Sequence, residues 1–127
     1  MNSNILVKFD NGSNLTCTVV ATEIERAQGL KNHERLPVGH GMMFFYEEPK
    51  SFLMFWNKDV KFDIEVIYID SNLIIAGIDF LKEDSSDISI STKLTKYVIE
   101  VAAGTCKDLG LKVGIHAIDF IRLENLP

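Results

Sequence analysis

Ile5-Leu6-Val7-Lys8-Phe9, Asp10-Asn11-Gly12-Ser13 and Leu15-Thr16-Cys17-Thr18-Val19-Val20 together decide the fold class. In the first run Ile5, Val7 and Phe9 point one way and Leu6 and Lys8 the other. This is the two-residue period of a half-buried strand. The middle run is a turn signal, because Asn-Gly tolerates the positive φ that tight hairpins require. In the third run Leu15, Cys17 and Val19 alternate with Thr16, Thr18 and Val20. The whole stretch therefore predicts a β-hairpin.

Working outward, Thr22 is placed to cap a helix, with Glu25 three residues on completing a capping box. Ile24, Ala27 and Leu30 follow at helical spacing. Gly29 weakens this helix by up to about 1 kcal/mol relative to Ala. The helix is expected to end near Asn32 or His33, before Leu36-Pro37. Gly41-Met42-Met43-Phe44-Phe45-Tyr46 is almost entirely apolar, like a strand covered on both faces. Glu47-Glu48-Pro49 is expected to break it, and Ser51 to Trp56 to resume an apolar strand. Asn57 to Lys61 is a polar connection. Ile64 to Ile69 and Leu73 to Ile78, joined by Asp70-Ser71-Asn72, read as a second hairpin. Lys82 to Thr92 reads as a solvated loop in which Ile88 and Ile90 fit a short edge strand. Tyr97 to Val101 is a strand, Thr105 to Leu109 one helical turn closed by Gly110, and Ile115 to Leu123 a last strand. Many short strands without alternating βαβ units predict a mainly β domain. The expected form is a compact antiparallel sandwich or barrel, with one short α-helix near residues 22–33.

The chain's 127 residues suit a single domain, 1–127. Such a domain buries roughly two thirds of its unfolded surface, enough for a real core. A hydrophobic content of 46% argues against disorder. No apolar run approaches the roughly 18 residues of a membrane span. Met1-Asn2-Ser3-Asn4 lacks a basic leader region, so no signal peptide is expected, and a cytoplasmic or otherwise soluble location is. A net charge of −5 makes the chain acidic and lowers the expectation of nucleic-acid binding. Cys17 and Cys106 form no C-x-x-C and read as two buried thiols in a reducing compartment. His33, His40 and His116 fall into no metal-ligand spacing, so no metal and no cofactor are expected. No serine lies in G-x-S-x-G, and no glycine loop has the form that cradles phosphate.

Two constellations stand out. Arg26, Asn57, Asp63 and Glu100 are polar groups at strand ends or on the helix. Glu100 interrupts an apolar strand, and a charge buried there unpaired costs several kcal/mol. Glu100 either faces water, or ties the helix to the sheet through a partner such as Arg26, or lines a small pocket with these groups. The second constellation is Phe52-Leu53-Met54-Phe55-Trp56, whose alternation sends some side chains to each face. Phe52, Met54 and Trp56, with Lys58 and Lys61 beside them, are candidates for a partner-binding patch; otherwise they pack the core.

Four ordered blocks resemble domain-of-unknown-function family 192. Thr22 to Leu30 is similar to its T-x-x-E-R-x-x-G-L, with Glu25-Arg26 as the E-R pair. Leu36 and Gly41-Met42-Met43-Phe44 match its L followed by G-M-L-F. Tyr97 to Gly104 matches Y-V-L-E-x-x-A-G, and Gly110 to Gly114 matches G-x-x-x-G. The similarity covers roughly residues 5–122. The centre departs from the family's M-W-M-K-N-T-x-I-P-L-D. Asn57 and Asp63 match, Lys58 replaces the threonine, Lys61 replaces the proline, and the tryptophan is shifted. Lys31 replaces the methionine after G-L. The resemblance implies a jelly-roll-like β domain with a short helix, no cofactor and no settled substrate.

Three functions remain open on these residues. The first is a non-enzymatic binding or protein-interaction module using Phe52 to Trp56 and the Lys58 to Asp63 loop on a protein partner or small ligand. The second is a small-molecule-binding protein or enzyme in which Arg26 clamps an anion, Glu100 or Asp63 acts as base and Asn57 orients the substrate. The third is a structural component of a larger assembly, such as a viral particle.

Overall fold

In a computed structural model, the structure describes residues 4–123. Met1-Asn2-Ser3, read above against a leader segment, lie outside the described residues. The molecule is mainly β, as the alternation predicts. A seven-stranded sheet runs β6 (Ile75–Leu81), β5 (Ile64–Ile69), β8 (Thr95–Ala102), β3 (His40–Lys50), β2 (Asn14–Val20), β1 (Asn4–Phe9), β9 (Ala117–Arg122), and a two-stranded ribbon pairs β4 (Met54–Trp56) with β7 (Ile88–Ile90).

The opening hairpin forms as read. β1 (Asn4–Phe9) and β2 (Asn14–Val20) pair antiparallel, with Ile5 opposite Cys17 and Val7 opposite Leu15. Gly12 takes φ +89° in the turn. The Asn11 side chain accepts from the Ser13 amide at 3.0 Å and donates to the Leu109 and Gly110 carbonyls at 3.0 Å. The turn thus also satisfies the open carbonyls of α2 (Thr105–Leu109).

α1 covers Glu23–Gln28 and carries the expected capping box. The Glu25 amide donates to Thr22 Oγ1 at 3.1 Å and the Thr22 amide to Glu25 Oε1 at 3.2 Å. It is shorter than residues 22–33 because Gly29 takes φ +49° and ends it. The expected apolar stripe dissolves in consequence. Ile24 is 83% exposed, while Leu30, beyond the helix, is buried.

β3 (His40–Lys50) differs from expectation in two ways. It pairs parallel with β2, the one parallel ladder among the described strands. It also runs through Glu47-Glu48-Pro49, where the ladder fails rather than the strand. Register with β8 (Thr95–Ala102) is lost between Phe45 and Lys50, because Pro49 has no N–H to give. Lys96 Nζ spans the gap, donating to the Tyr46 carbonyl at 3.0 Å. Gly41 lets the two strands close up, since a Cβ there would lie 2.8 Å from Ile99 Cγ2 and 3.1 Å from the Glu100 carbonyl oxygen.

β5 (Ile64–Ile69) and β6 (Ile75–Leu81) form the second hairpin, and β9 is Ala117–Arg122. The two ends of the sheet are joined. Ile75 N–H donates to the Ile115 carbonyl at 2.9 Å and Ala117 N–H to the Leu73 carbonyl at 2.7 Å. This closes the sheet toward a barrel. β4 shrinks to Met54–Trp56, because Phe52 bends the chain with φ +58°. Its partner is the edge strand read from Ile88 and Ile90, β7 (Ile88–Ile90).

The central strands are covered on both faces. One core packs Val7, Leu15, Met43, Ile67, Ile99 and Val101 with Cys106 and Leu111 of the α2 region. The other packs Met42, Phe44, Tyr46, Val66, Tyr68 and Val98 beneath Leu30 and the 57–62 loop. Alternation along β8 puts Glu100 on the second side, between Val98 and Ala102.

Candidate functional site

The second core is incompletely roofed. Between α1, the end of the 57–62 loop and the β4–β7 ribbon lies a cleft of about 290 Å³. β3 supplies Phe44 and Tyr46, and β4 supplies Phe55 and Trp56. α1 and the turn after it supply Arg26, Leu30 and Lys31. Lys58 stands at the edge and β8 supplies Glu100.

Glu100 is 4% exposed. Its register neighbours are Met42 on β3 and Val66 on β5, which offer no more than the weak thioether acceptor of Met42. Among the described residues the only ion pair is Lys58 with Asp84, at 3.9 Å. Burial alone pushes the Glu100 carboxyl from its ordinary 4.5 up to about 8, because the anion would sit in low dielectric without a counter-charge. At neutral pH this side chain is a neutral acid and a hydrogen-bond donor.

Arg26 shares the cleft without pairing with Glu100. Its Nη1 donates to the Ala21 and Phe45 carbonyls, the second at 3.5 Å. The guanidinium lies 5.1 Å from the centre of the Tyr46 ring, a cation–π distance. Burial raises the Tyr46 hydroxyl above its usual range, while Arg26 pulls it down and Glu100 pushes it up. Tyr46 thus sits electrostatically between the two.

Asn57 and Asp63 lie outside this lining. Asn57 is fully buried, and its Nδ2 donates to the Phe62 carbonyl at 2.8 Å and the Lys82 carbonyl at 3.1 Å. Asp63 Oδ1 accepts the Glu83 amide at 2.8 Å. Both tie the 57–63 loop to the segment after β6. Of the four polar candidates, the structure brings together Arg26 and Glu100.

The ribbon forms one wall. Its inward Phe55 packs edge-on against Phe44 at 5.3 Å and lies 6.0 Å from Tyr68. Ser89 of β7 accepts from the Tyr68 hydroxyl and donates to Asp79 Oδ2. Tyr68 is pushed up to about 12, first by burial, against the hydrogen bond to Ser89. The outward face is apolar: Phe52 is 70% exposed, Met54 63% and Trp56 52%. Ile88 and Ile90 are exposed beside them. Lys58 and Lys61 are both exposed; Lys58 lines the cleft with Trp56, while Lys61 lies with Lys31, Asn32 and Asp59.

Sequence reasoning did not place Tyr46, Lys31 or the Tyr68–Ser89–Asp79 chain at a site, and it read Phe55 only as part of a partner-binding run. Alternation puts Phe44 and Tyr46 on one face, but only the pairing of β3 with β8 sets that face beside Glu100. Among the described residues no group of three or more His, Cys, Asp or Glu side chains is placed to hold a metal. Cys17 and Cys106 are free and buried, each pushed up to about 12 with burial the main cause.

A family profile for domain-of-unknown-function family 192, the uncharacterized ACR group, matches residues 6–117. The chain belongs to that family. This family-192 domain is also similar to two solved structures. One, from Sinorhizobium meliloti and provisionally described as a transcription regulator, has a TM-score of 0.82 and 26% identity over 96% of this chain and 94% of its own. The other is a protein of unknown function from Novosphingobium aromaticivorans, with a TM-score of 0.81 and 20% identity over 91% of this chain and 83% of its own. No curated protein matches this family-192 chain. No helix among the described residues is long and apolar enough to cross a membrane.

Proposed function

We propose that this domain is a non-enzymatic binding module whose site for a small ligand is the cleft beside Glu100. One observation carries the reading: a carboxyl that is 4% exposed and has no protein partner among the described residues forms part of an open cleft's lining. A ligand atom that accepts its hydrogen bond adds an interaction that the protein itself does not supply. Aromatic walls with a few convergent polar groups are the usual make-up of small-molecule sites. At neutral pH Glu100 in its acid form donates a hydrogen bond to a bound ligand.

The test is a fragment screen read by protein NMR. Trp56 is the only tryptophan, so its indole N–H reports on one cleft wall. Fragments should shift that signal together with the Gly29, Tyr46 and Glu100 amides. A screen reaching millimolar concentrations that leaves all of these unmoved would overturn the reading.

A second reading has its own observation. The outward ribbon face presents Phe52, Met54 and Trp56, each more than half exposed, and supports a protein-docking patch with Lys58 and Lys61 at its edge. Shifts at Phe52, Ile88 and Ile90 on adding a partner, with Gly29, Tyr46 and Glu100 unmoved, would favour it.

A further inference from the structure

We infer that the cleft takes a small organic anion with a flat apolar body, its acid group held by Arg26 and an inner acceptor atom bonded by the Glu100 carboxyl. This rests on the small-ligand reading above and names the ligand's chemistry.

Charge is the first argument. The chain has 13 Lys and Arg against 18 Asp and Glu, yet the cleft reverses that bias. Its charged lining is Arg26, Lys31 and Lys58 against Glu100 alone. Lys58 leans on Asp84 at 3.9 Å, but both side chains are largely exposed, and such a pair does little to cancel the field.

Arg26 is the second. Only its Nη1 bonds to protein among the described residues, on backbone carbonyls, and its Cζ lies 5.1 Å from the centre of the Tyr46 ring. The remaining guanidinium donors are free for a planar or tetrahedral anion, which guanidinium recognises in bidentate fashion.

Glu100 and the walls are the third. In its acid form Glu100 offers an O–H, so the matching ligand atom is an acceptor such as a carbonyl, nitro or ether oxygen. Aromatic walls beside a carboxyl could also hold an organic cation. That alternative needs Glu100 ionised and places a second positive charge next to Arg26. About 290 Å³ leaves room for one ring and its substituents.

Carboxylates and phosphate monoesters share this chemistry, so both are tested. Four probes with one body are titrated against the whole protein at pH 7: 4-nitrobenzoate, 4-nitrophenyl phosphate, neutral 4-nitrobenzyl alcohol and cationic 4-nitrobenzylammonium. At least one anion should bind about tenfold more tightly than the neutral and cationic probes, the size of a charge-assisted contact. The tighter of the two anions identifies the head group. Arg26→Gln should remove that advantage and leave the alcohol within about twofold. Unsubstituted benzoate should bind more weakly than 4-nitrobenzoate to the wild type, and equally to Glu100→Leu, which lacks the inner donor. A preference for the cation or the alcohol would overturn the anion assignment while leaving the cleft a ligand site. If no probe moves the Trp56 or Glu100 signals, the small-ligand reading itself falls.

Discussion

Replacing Glu100 with Gln should change stability at pH 4.5 only by a fixed offset and raise it progressively above that. In the unfolded chain the carboxyl releases its proton near 4.5, whereas the folded protein holds it to about 8. Between these values the folded state binds one more proton than the unfolded state, so stability falls as pH rises, by about 1.4 kcal/mol per pH unit. Below pH 4.5 both states are protonated and above about 8 both are ionised, so the curve is flat at either end. The full difference is on the order of 5 kcal/mol. That is a large part of the 5–15 kcal/mol typical of a domain. Gln has nearly the same shape and no proton to lose. Its amide adds an offset that does not vary with pH, so the slope belongs to residue 100. Urea unfolding of both proteins at pH 4.5, 6, 7.5 and 9 gives the difference curve, in which every other titrating group is shared. It should climb between 4.5 and 8 and then level off. A flat difference would mean that Glu100 is hydrated when folded. A difference growing toward low pH would mean an ionised, paired carboxylate. Either refutes the account of a neutral buried acid.

Gly41→Ala should destabilise the protein by about 1–3 kcal/mol in urea unfolding, because its Cβ meets Ile99 Cγ2 at 2.8 Å and the Glu100 carbonyl oxygen at 3.1 Å, and neither side can give freely. Ser89→Ala breaks the Tyr68–Ser89–Asp79 chain; amide exchange at Phe55 and Trp56 should accelerate more than in β5 or β8, showing local loosening of the ribbon. Cys17 and Cys106, buried and pushed up to about 12, should react with a disulfide reagent at pH 8 only once the protein is unfolded.

The elements legible in the sequence were those whose causes are local. The β1–β2 hairpin follows from alternation and an Asn-Gly turn, and the start of α1 from a capping box within four residues. The end of α1 was misplaced because the periodicity of Ile24, Ala27 and Leu30 says nothing about the backbone at Gly29, where φ is +49°. By local chemistry Glu47-Glu48-Pro49 reads as a strand break. It interrupts only hydrogen bonding, and β3 continues to Lys50.

The candidate site was legible only as a set of residue types. Glu100 drew attention because a carboxylate amid Tyr97, Val98, Ile99 and Val101 has a physical cost wherever it points. Alternation grouped it with Val98 but could not say that this face is covered. Asn57 resembles a site residue by its place in a family motif; in the fold its Nδ2 bonds backbone carbonyls and its Oδ1 is buried without a partner among the described residues.

The sequence by itself determined the mainly β class, the two hairpins and the family, because side-chain period and turn chemistry act between near neighbours. Tertiary structure decided the rest. The parallel ladder of β2 and β3, the bridging of β6 to the β9 end and the roof of α1 and ribbon are contacts between residues far apart in the chain. Those contacts place Arg26, Trp56 and Glu100 around one cleft and deny Glu100 a partner. A carboxyl's proton affinity depends on the charges and solvent around it, and those are set only when distant segments meet.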